Sequence, residues 1–185
     1  PMESNPSAAA SQSGDKTFEF FDDFNGSAIN ATKWPVTIGS PAISGGNLQI
    51  STDSGSEGVR TASMFQPATH ILGFRQKINA NDAGTFRMGF SNTADLNSNM
   101  WSDDSFSLYQ DFQFTNKMHN SNEGSGIFSI DTAKTTPYRY YEFKWENARV
   151  ELFGNGSSMG YSTSYVPDEN SYIRLEQQYN AQSGS

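Results

Sequence analysis

The chain has 185 residues, with 12 Lys and Arg against 20 Asp and Glu, a formal net charge of −8. That length fits one domain with a two-layer core. So acidic a surface repels phosphate backbones, which argues against nucleic acid as a partner. No cysteine is present, so disulfides, thiolate zinc sites and cysteine nucleophiles are excluded together. No apolar run approaches a bilayer span, so membrane insertion is not expected.

Hydrophobic residues make up only 35% of the chain but aromatic ones 14%, with 14 Phe, 8 Tyr and 3 Trp. A core of large rings, with Gly, Ser, Asn and Thr in the turns, suits an all-β module of a secreted or cell-surface (extracellular) protein. No targeting peptide is visible, and Pro1-Met2 has the form of an expression scar. The chain is therefore expected to be one domain of a larger multidomain protein.

In chain order, Glu3 to Asp15 is small, polar and aperiodic. Residues 1–15 are read as a disordered linker or tag remnant, 16–179 as the domain and 180–185 as a tail. A strand is expected at Thr17–Phe21, ended by Asp22-Asp23-Phe24-Asn25-Gly26, and Trp34 should plug the core beneath the next loop. Ile43 to Ile50 forms a hairpin about Gly45-Gly46, where positive φ comes without steric cost. Val59–Phe65 and His70–Ile78 are strands, the second with Leu72, Phe74 and Ile78 on one parity and Gly73, Arg75 and Lys77 on the other. Thr85–Ser91 turns Phe86, Met88 and Phe90 inward and Arg87 outward.

Thr93–Ser105 is a polar loop around Met100-Trp101. Phe106–Phe114 then alternates: Phe106, Leu108, Phe112 and Phe114 face the core, with Gln110 the one polar residue among them. Ser107, Tyr109, Asp111 and Gln113 take the other face. Lys117–Gly126 is expected to be a second polar loop, followed by a short strand Ile127–Ile130.

Tyr138–Gly156 holds two β-runs back to back. Tyr141, Phe143 and Trp145 share the buried parity, Tyr140, Glu142 and Lys144 the wet one. Val150 and Leu152 resume the pattern until Gly154-Asn155-Gly156, which predicts a tight turn. The strand spacing argues for an antiparallel β-sandwich.

These residues carry a resemblance. Tyr141-Glu142-Phe143-Lys144-Trp145 followed by Asn155-Gly156 resembles the penultimate hairpin of concanavalin A-like lectin and glucanase (laminarinase-like) jelly rolls. Asn155 stands where that family commonly has Asp. The proline connector Val166-Pro167-Asp168, the last strand Tyr172–Glu176 and the opening from Asp22 to Trp34 match as well. The resemblance implies a jelly roll in which the polar parity of one sheet lines a concave groove that holds glycans. Carried over strand by strand, that groove would hold Arg75, Lys77, Arg87, Tyr109, Asp111, Gln113, Tyr140, Glu142 and Lys144, with Trp101 at its rim. Rings stack on sugar faces while Asp, Gln and Arg exchange hydrogen bonds with hydroxyls. Singly, each of these residues reads as well as an ordinary solvated side chain of an exposed sheet face.

Family members that hydrolyse β-glucans carry Glu-x-Asp-x-x-Glu on the strand matching Phe106–Phe114. No Glu occurs in that strand here. The resemblance therefore implies non-catalytic polysaccharide binding, as an accessory module or surface lectin, without a catalytic residue. Two alternatives stand beside it. One is a divergent glycoside hydrolase or polysaccharide lyase, using Asp111 or Glu142 with Tyr109 or Tyr140. The other is a structural or adhesive domain of an envelope or virion protein. No cofactor or metal is expected from spacing: His70 and His119 are read as surface or strand-end residues. The resemblance leaves one structural calcium at Asp22 and Asp23 as an alternative. Sequons at Asn25, Asn30 and Asn155 are of a number such a composition gives by chance.

Overall fold

A computed structural model describes residues 14–51, 54–66, 70–76, 84–97, 104–110, 115–123, 125–133 and 139–179. They form antiparallel strands and one helical turn, α1 (Gly14–Thr17). The larger sheet has seven strands, numbered in chain order along the molecule. They run β1 (Val36–Ile38), β4 (Ser56–Phe65), β13 (Ser171–Tyr179), β6 (Gly84–Ser91), β7 (Ser105–Gln110), β8 (Thr115–Asn122), β9 (Ser125–Ala133). The smaller sheet runs β12 (Ser157–Ser162), β11 (Arg149–Gly154), β10 (Arg139–Glu146), β5 (His70–Gln76). β2 (Ala42–Ser44) and β3 (Asn47–Gln49) make a separate hairpin. This is the β-sandwich jelly roll that the alternation and the resemblance both imply.

The core lies between the two sheets because each strand turns its apolar parity the same way. Tyr141, Phe143 and Trp145 of β10, with Val150 and Leu152 of β11, are buried against Met88, Phe90, Phe106, Leu108 and Ile173 of the larger sheet. Rings carry the contact across the layers. Phe106 meets Phe143 edge-on at 4.9 Å, and Phe90 meets Trp145 at 5.0 Å. Offset and edge-on ring pairs add to what area burial alone gives. Gln110, the polar residue among the inward ones, is satisfied there: its Oε1 accepts from Gln76 Nε2 at 2.9 Å, and its Nε2 donates to the Tyr141 hydroxyl at 3.4 Å.

Turns and plugs fall where the residues ask for them. Gly45 and Gly46 both take positive φ, as do Asn155 and Gly156 in the turn from β11 to β12. Trp34 is buried, edge-on to Phe20 at 5.1 Å, and its Nε1 donates to Asp22 at 2.8 Å.

Two expectations fail. Thr17–Phe21 forms α1's last residue and bends, not a strand, because three rings in four residues fit no single parity. Phe18 is exposed and stacks on Phe21, while Phe20 reaches Trp34 and Phe65. Lys117–Gly126 is not a loop but most of the β8–β9 hairpin. Its central polar residues, His119, Asn120 and Ser121, are buried with partners. Asn120 Nδ2, for example, donates to the carbonyls of Ser164 at 2.5 Å and Tyr165 at 3.0 Å.

Asp104 fastens three segments. Fully buried, its carboxylate accepts the backbone N–H groups of Glu123 at 2.8 Å and of Asp168 and Glu169 at 3.0 Å each. The adjoining Pro167 carbonyl accepts from Trp145 Nε1 at 3.1 Å. The proline connector is thus tied both to the core and to the β8–β9 turn.

Phe143 tests this packing. It is fully buried and also stacks on Phe74 at 5.4 Å. Phe143→Ala should lower unfolding free energy by about 3–5 kcal/mol in urea titration, with the strand spectrum retained at low denaturant.

Candidate functional site

The face of the larger sheet turned away from the core is polar, and the register sets its side chains in rows. One row runs Arg60, Arg174, Gly89, Ser107, His119 across β4, β13, β6, β7 and β8. The next runs Gly58, Glu176, Arg87, Tyr109, Lys117. The floor is buried: Arg174 and Ser107 are 0% exposed, Glu176 3%, His119 4% and Arg87 6%. Arg60, Tyr109 and Lys117 are half-buried around it.

Burying charges is favourable only when they are paired and hydrogen-bonded. Glu176 meets that requirement from the centre: Oε1 accepts from Arg87 Nη1 at 3.3 Å and Oε2 from Arg174 Nη2 at 2.5 Å. Arg87 Nη2 also donates to Gln178 Oε1 at 2.8 Å, and Arg174 Nη1 to the Thr93 carbonyl at 3.1 Å. Burial lowers the pKa of Arg87, and the Glu176 charge offsets part of that. Beside it, His119 Nδ1 lies 3.3 Å from Ser105 Oγ, which is 2.9 Å from Ser121 Oγ. Burial first, and then the Arg87 charge, push His119 down to about 4. The imidazole is therefore neutral at physiological pH. Ser107 Oγ, between Gly89 and His119, is buried without a hydrogen-bond partner.

The structure divides the residues that the sequence assigned to one groove. Arg87 and Tyr109 face each other on β6 and β7 of the larger sheet. Arg75, Tyr140, Glu142 and Lys144 lie on β5 and β10, in the smaller sheet, and face away from the core on the opposite side of the sandwich. The expected single face joining Tyr109 to Glu142 is thereby corrected. Alternation tells in from out along a strand, but both sheets have an outside. Lys77, Trp101, Asp111 and Gln113 lie outside the described residues. His119, expected at the surface or at a strand end, is buried within β8. Arg174, Glu176, Ser105 and Ser107 were given no site role from sequence, although Arg174 and Glu176 share a parity on the last strand and Ser107 shares that of Tyr109.

On the smaller sheet, Tyr140 is 43% exposed and lies over Gly73, where an added Cβ would fall 2.2 Å from its hydroxyl. That hydroxyl donates to Glu142 Oε2 at 3.5 Å. Partial burial and the Glu142 charge raise the tyrosine's pKa.

Asp22 and Asp23, the carboxylates of the calcium alternative, bind the turn's own donors. Asp22 accepts from Phe24 N and Trp34 Nε1, and Asp23 from Asn25 N and Nδ2. Among the described residues no three His, Asp or Glu side chains gather for a metal. Nor is any helix among them long and apolar enough to cross a membrane.

Solved structures share this fold across most of the chain. A prokaryotic β-1,3-1,4-glucanase (lichenase) from a mouse hindgut metagenome matches with TM-score 0.68 and 13% identity, over 88% of this chain and 86% of that one. The Bacillus licheniformis β-glucanase matches at 0.65 and 14%, over 89% and 86%. The carbohydrate-binding module CBM66 of Bacillus subtilis matches at 0.57 and 12%, over 80% and 91%. The fold is thus that of the concanavalin A-like jelly rolls, a class that includes both glucanases and carbohydrate-binding modules. A family profile described as a domain of unknown function (DUF2341) matches residues 2–37. No curated protein matches the sequence.

His119 supplies a pH test. Its folded pKa of about 4 lies below the ordinary 6.5, so between these values the unfolded chain binds the extra proton. Stability is full above pH 6.5 and falls as the pH drops toward 4, by on the order of 3 kcal/mol from this group alone. In urea titrations across that window, His119→Gln should flatten the slope relative to wild type.

Proposed function

We propose that the chain binds polysaccharide without cleaving it, through the polar outer face of the larger sheet, as an accessory or surface module of an extracellular protein. The observation that carries this reading is the outward row of β7, which is Ser105, Ser107 and Tyr109. Hydrolysis by two carboxylates needs both on the face where the glycosidic bond lies. These three positions supply a hydroxyl, a hydroxyl and a phenol. The glucanase and binding-module neighbours support a carbohydrate ligand, and Tyr109, half-buried beside Arg87, offers a ring against which a sugar can stack.

The test pairs binding with turnover. In affinity gels, polysaccharide should retard the wild type with a dissociation constant on the order of micromolar to millimolar. Tyr109→Ala should abolish most of the retardation while leaving the melting temperature nearly unchanged. A reducing-sugar assay on the same polysaccharides should stay at background. Turnover that survives repurification would overturn the non-catalytic reading. Failure of every polysaccharide to retard the wild type would overturn the carbohydrate reading itself.

A further inference from the structure

The outer face of the smaller sheet carries rings that solvent reaches, and the register sets them on a diagonal. Glu142 of β10 pairs with Phe153 of β11, and Glu151 of β11 pairs with Tyr161 of β12. Tyr140 lies two residues before Glu142 on the same face. Tyr161, Phe153 and Tyr140 thus step one strand and two residues at a time, with neighbours about 7–8 Å apart. Tyr161 is 59% exposed and Tyr140 43%, with Phe153 half-buried between them.

Both exposed tyrosines are held in place. Tyr140 leans over Gly73, where any Cβ would fall 2.2 Å from its hydroxyl, and that hydroxyl donates to Glu142. Glycine weakens a strand interior, and here its missing side chain is what admits the ring. The Arg149 guanidinium lies 4.2 Å over the Tyr161 ring and is itself fixed by Glu151 at 2.7 Å. Side chains already ordered lose little freedom when a ligand arrives.

Charge on this face cancels. Its described residues set Arg75, Lys144 and Arg149 against Glu142, Glu146 and Glu151, and Lys144 pairs with Glu146 at 2.8 Å. On a chain that carries −8, a face without net charge matches a neutral ligand. The centre of a protein interface is depleted of charged residues, whereas here they flank the rings. Rings in a line beside groups that both donate and accept suit the apolar faces and the hydroxyls of a linear glycan.

Resting on the carbohydrate reading above, we infer that this diagonal is a second glycan site, which takes a neutral linear polysaccharide on the side of the sandwich opposite Tyr109. Standing back to back, the two sites let one copy of the module bridge two chains.

Affinity gels and light scattering with the full chain test this, using lichenan, laminarin and xyloglucan as neutral glycans and alginate as an acidic one. A neutral glycan should retard the wild type and turn cloudy with it, because cross-linking needs two sites on one copy. Tyr140→Ala and Tyr161→Ala should keep most of the retardation and lose the scattering. Once Tyr109→Ala has removed the first site, adding Tyr140→Ala should weaken the residual binding about ten-fold. Gly73→Ala keeps every ring but unseats Tyr140, so it should lose the scattering as well while melting no lower than wild type. Retardation of the wild type without scattering, or scattering that Tyr140→Ala or Gly73→Ala leaves unchanged, would overturn the second site and leave the carbohydrate reading standing. Binding confined to alginate would do the same. Retardation by no glycan at all would overturn both.

Discussion

One carboxylate holds two guanidiniums at the middle of the larger sheet. Glu176 sits on β13, the strand between β4 and β6, so its bond to Arg87 joins two of the sheet's central strands by side chains as well as by the backbone ladder, while its bond to Arg174 stays within β13. In so dry a place the arrangement works only as a unit. Taking charges out of water costs several kcal/mol per ion, and their mutual attraction repays it only while every partner is present. Neutralising Glu176 would strand two cations, whereas neutralising one arginine would leave a matched pair. The group has a further consequence for its surroundings, because its positive charge helps to keep the neighbouring imidazole of His119 neutral.

The rest of the sheet is arranged to make that polar floor possible. On the other side of the same strands the rings of Phe90 and Phe106 close against Trp145 and Phe143, so a strand can be apolar below and ionic above. The connector before β13 is fixed by Asp104, which binds the backbone at both Asp168 and Glu169, and by the bond from Trp145 to Pro167. These three bonds hold the chain just before the last strand enters the sheet beside β4 and β6.

How much of this was legible beforehand follows from what a strand pattern encodes. Period-two alternation gave the buried parity of Phe86–Phe90, Phe106–Leu108, Tyr141–Trp145 and Val150–Leu152 correctly, because burial is a property of one strand. Sheet membership is a property of the whole topology. Tyr109 and Tyr140 look alike in sequence and end on opposite sides of the sandwich, one beside Arg87 and the other over Gly73. Ile127–Ile130 reads from sequence as the strand it is, whereas Lys117–Gly126 reads as a loop because Asn120, Ser121 and His119 are polar. What decides their burial is a set of partners far away in sequence, the Ser164 and Tyr165 carbonyls and the Ser105 hydroxyl. The ionic floor was hidden for the same reason, since Arg87 and Glu176 lie 89 residues apart.

A fold shared by glucanases and binding modules leaves activity to individual side chains, and one pair here invites an enzymatic interpretation. Ser105 and His119 stand 3.3 Å apart, hydroxyl to imidazole, as a nucleophile and its base would. Two features argue against that role. Ser105 is 0% exposed and its hydroxyl already pairs with Ser121, so no substrate carbon could approach it without dismantling the β7–β8 ladder. And an imidazole held near pKa 4 is a poor proton acceptor, well below the near-neutral value that makes a general base effective. The pair is better understood as the polar lining that lets β8 lie against β7. Burial has made it inert as a catalyst for the same physical reason that the neighbouring arginines need Glu176.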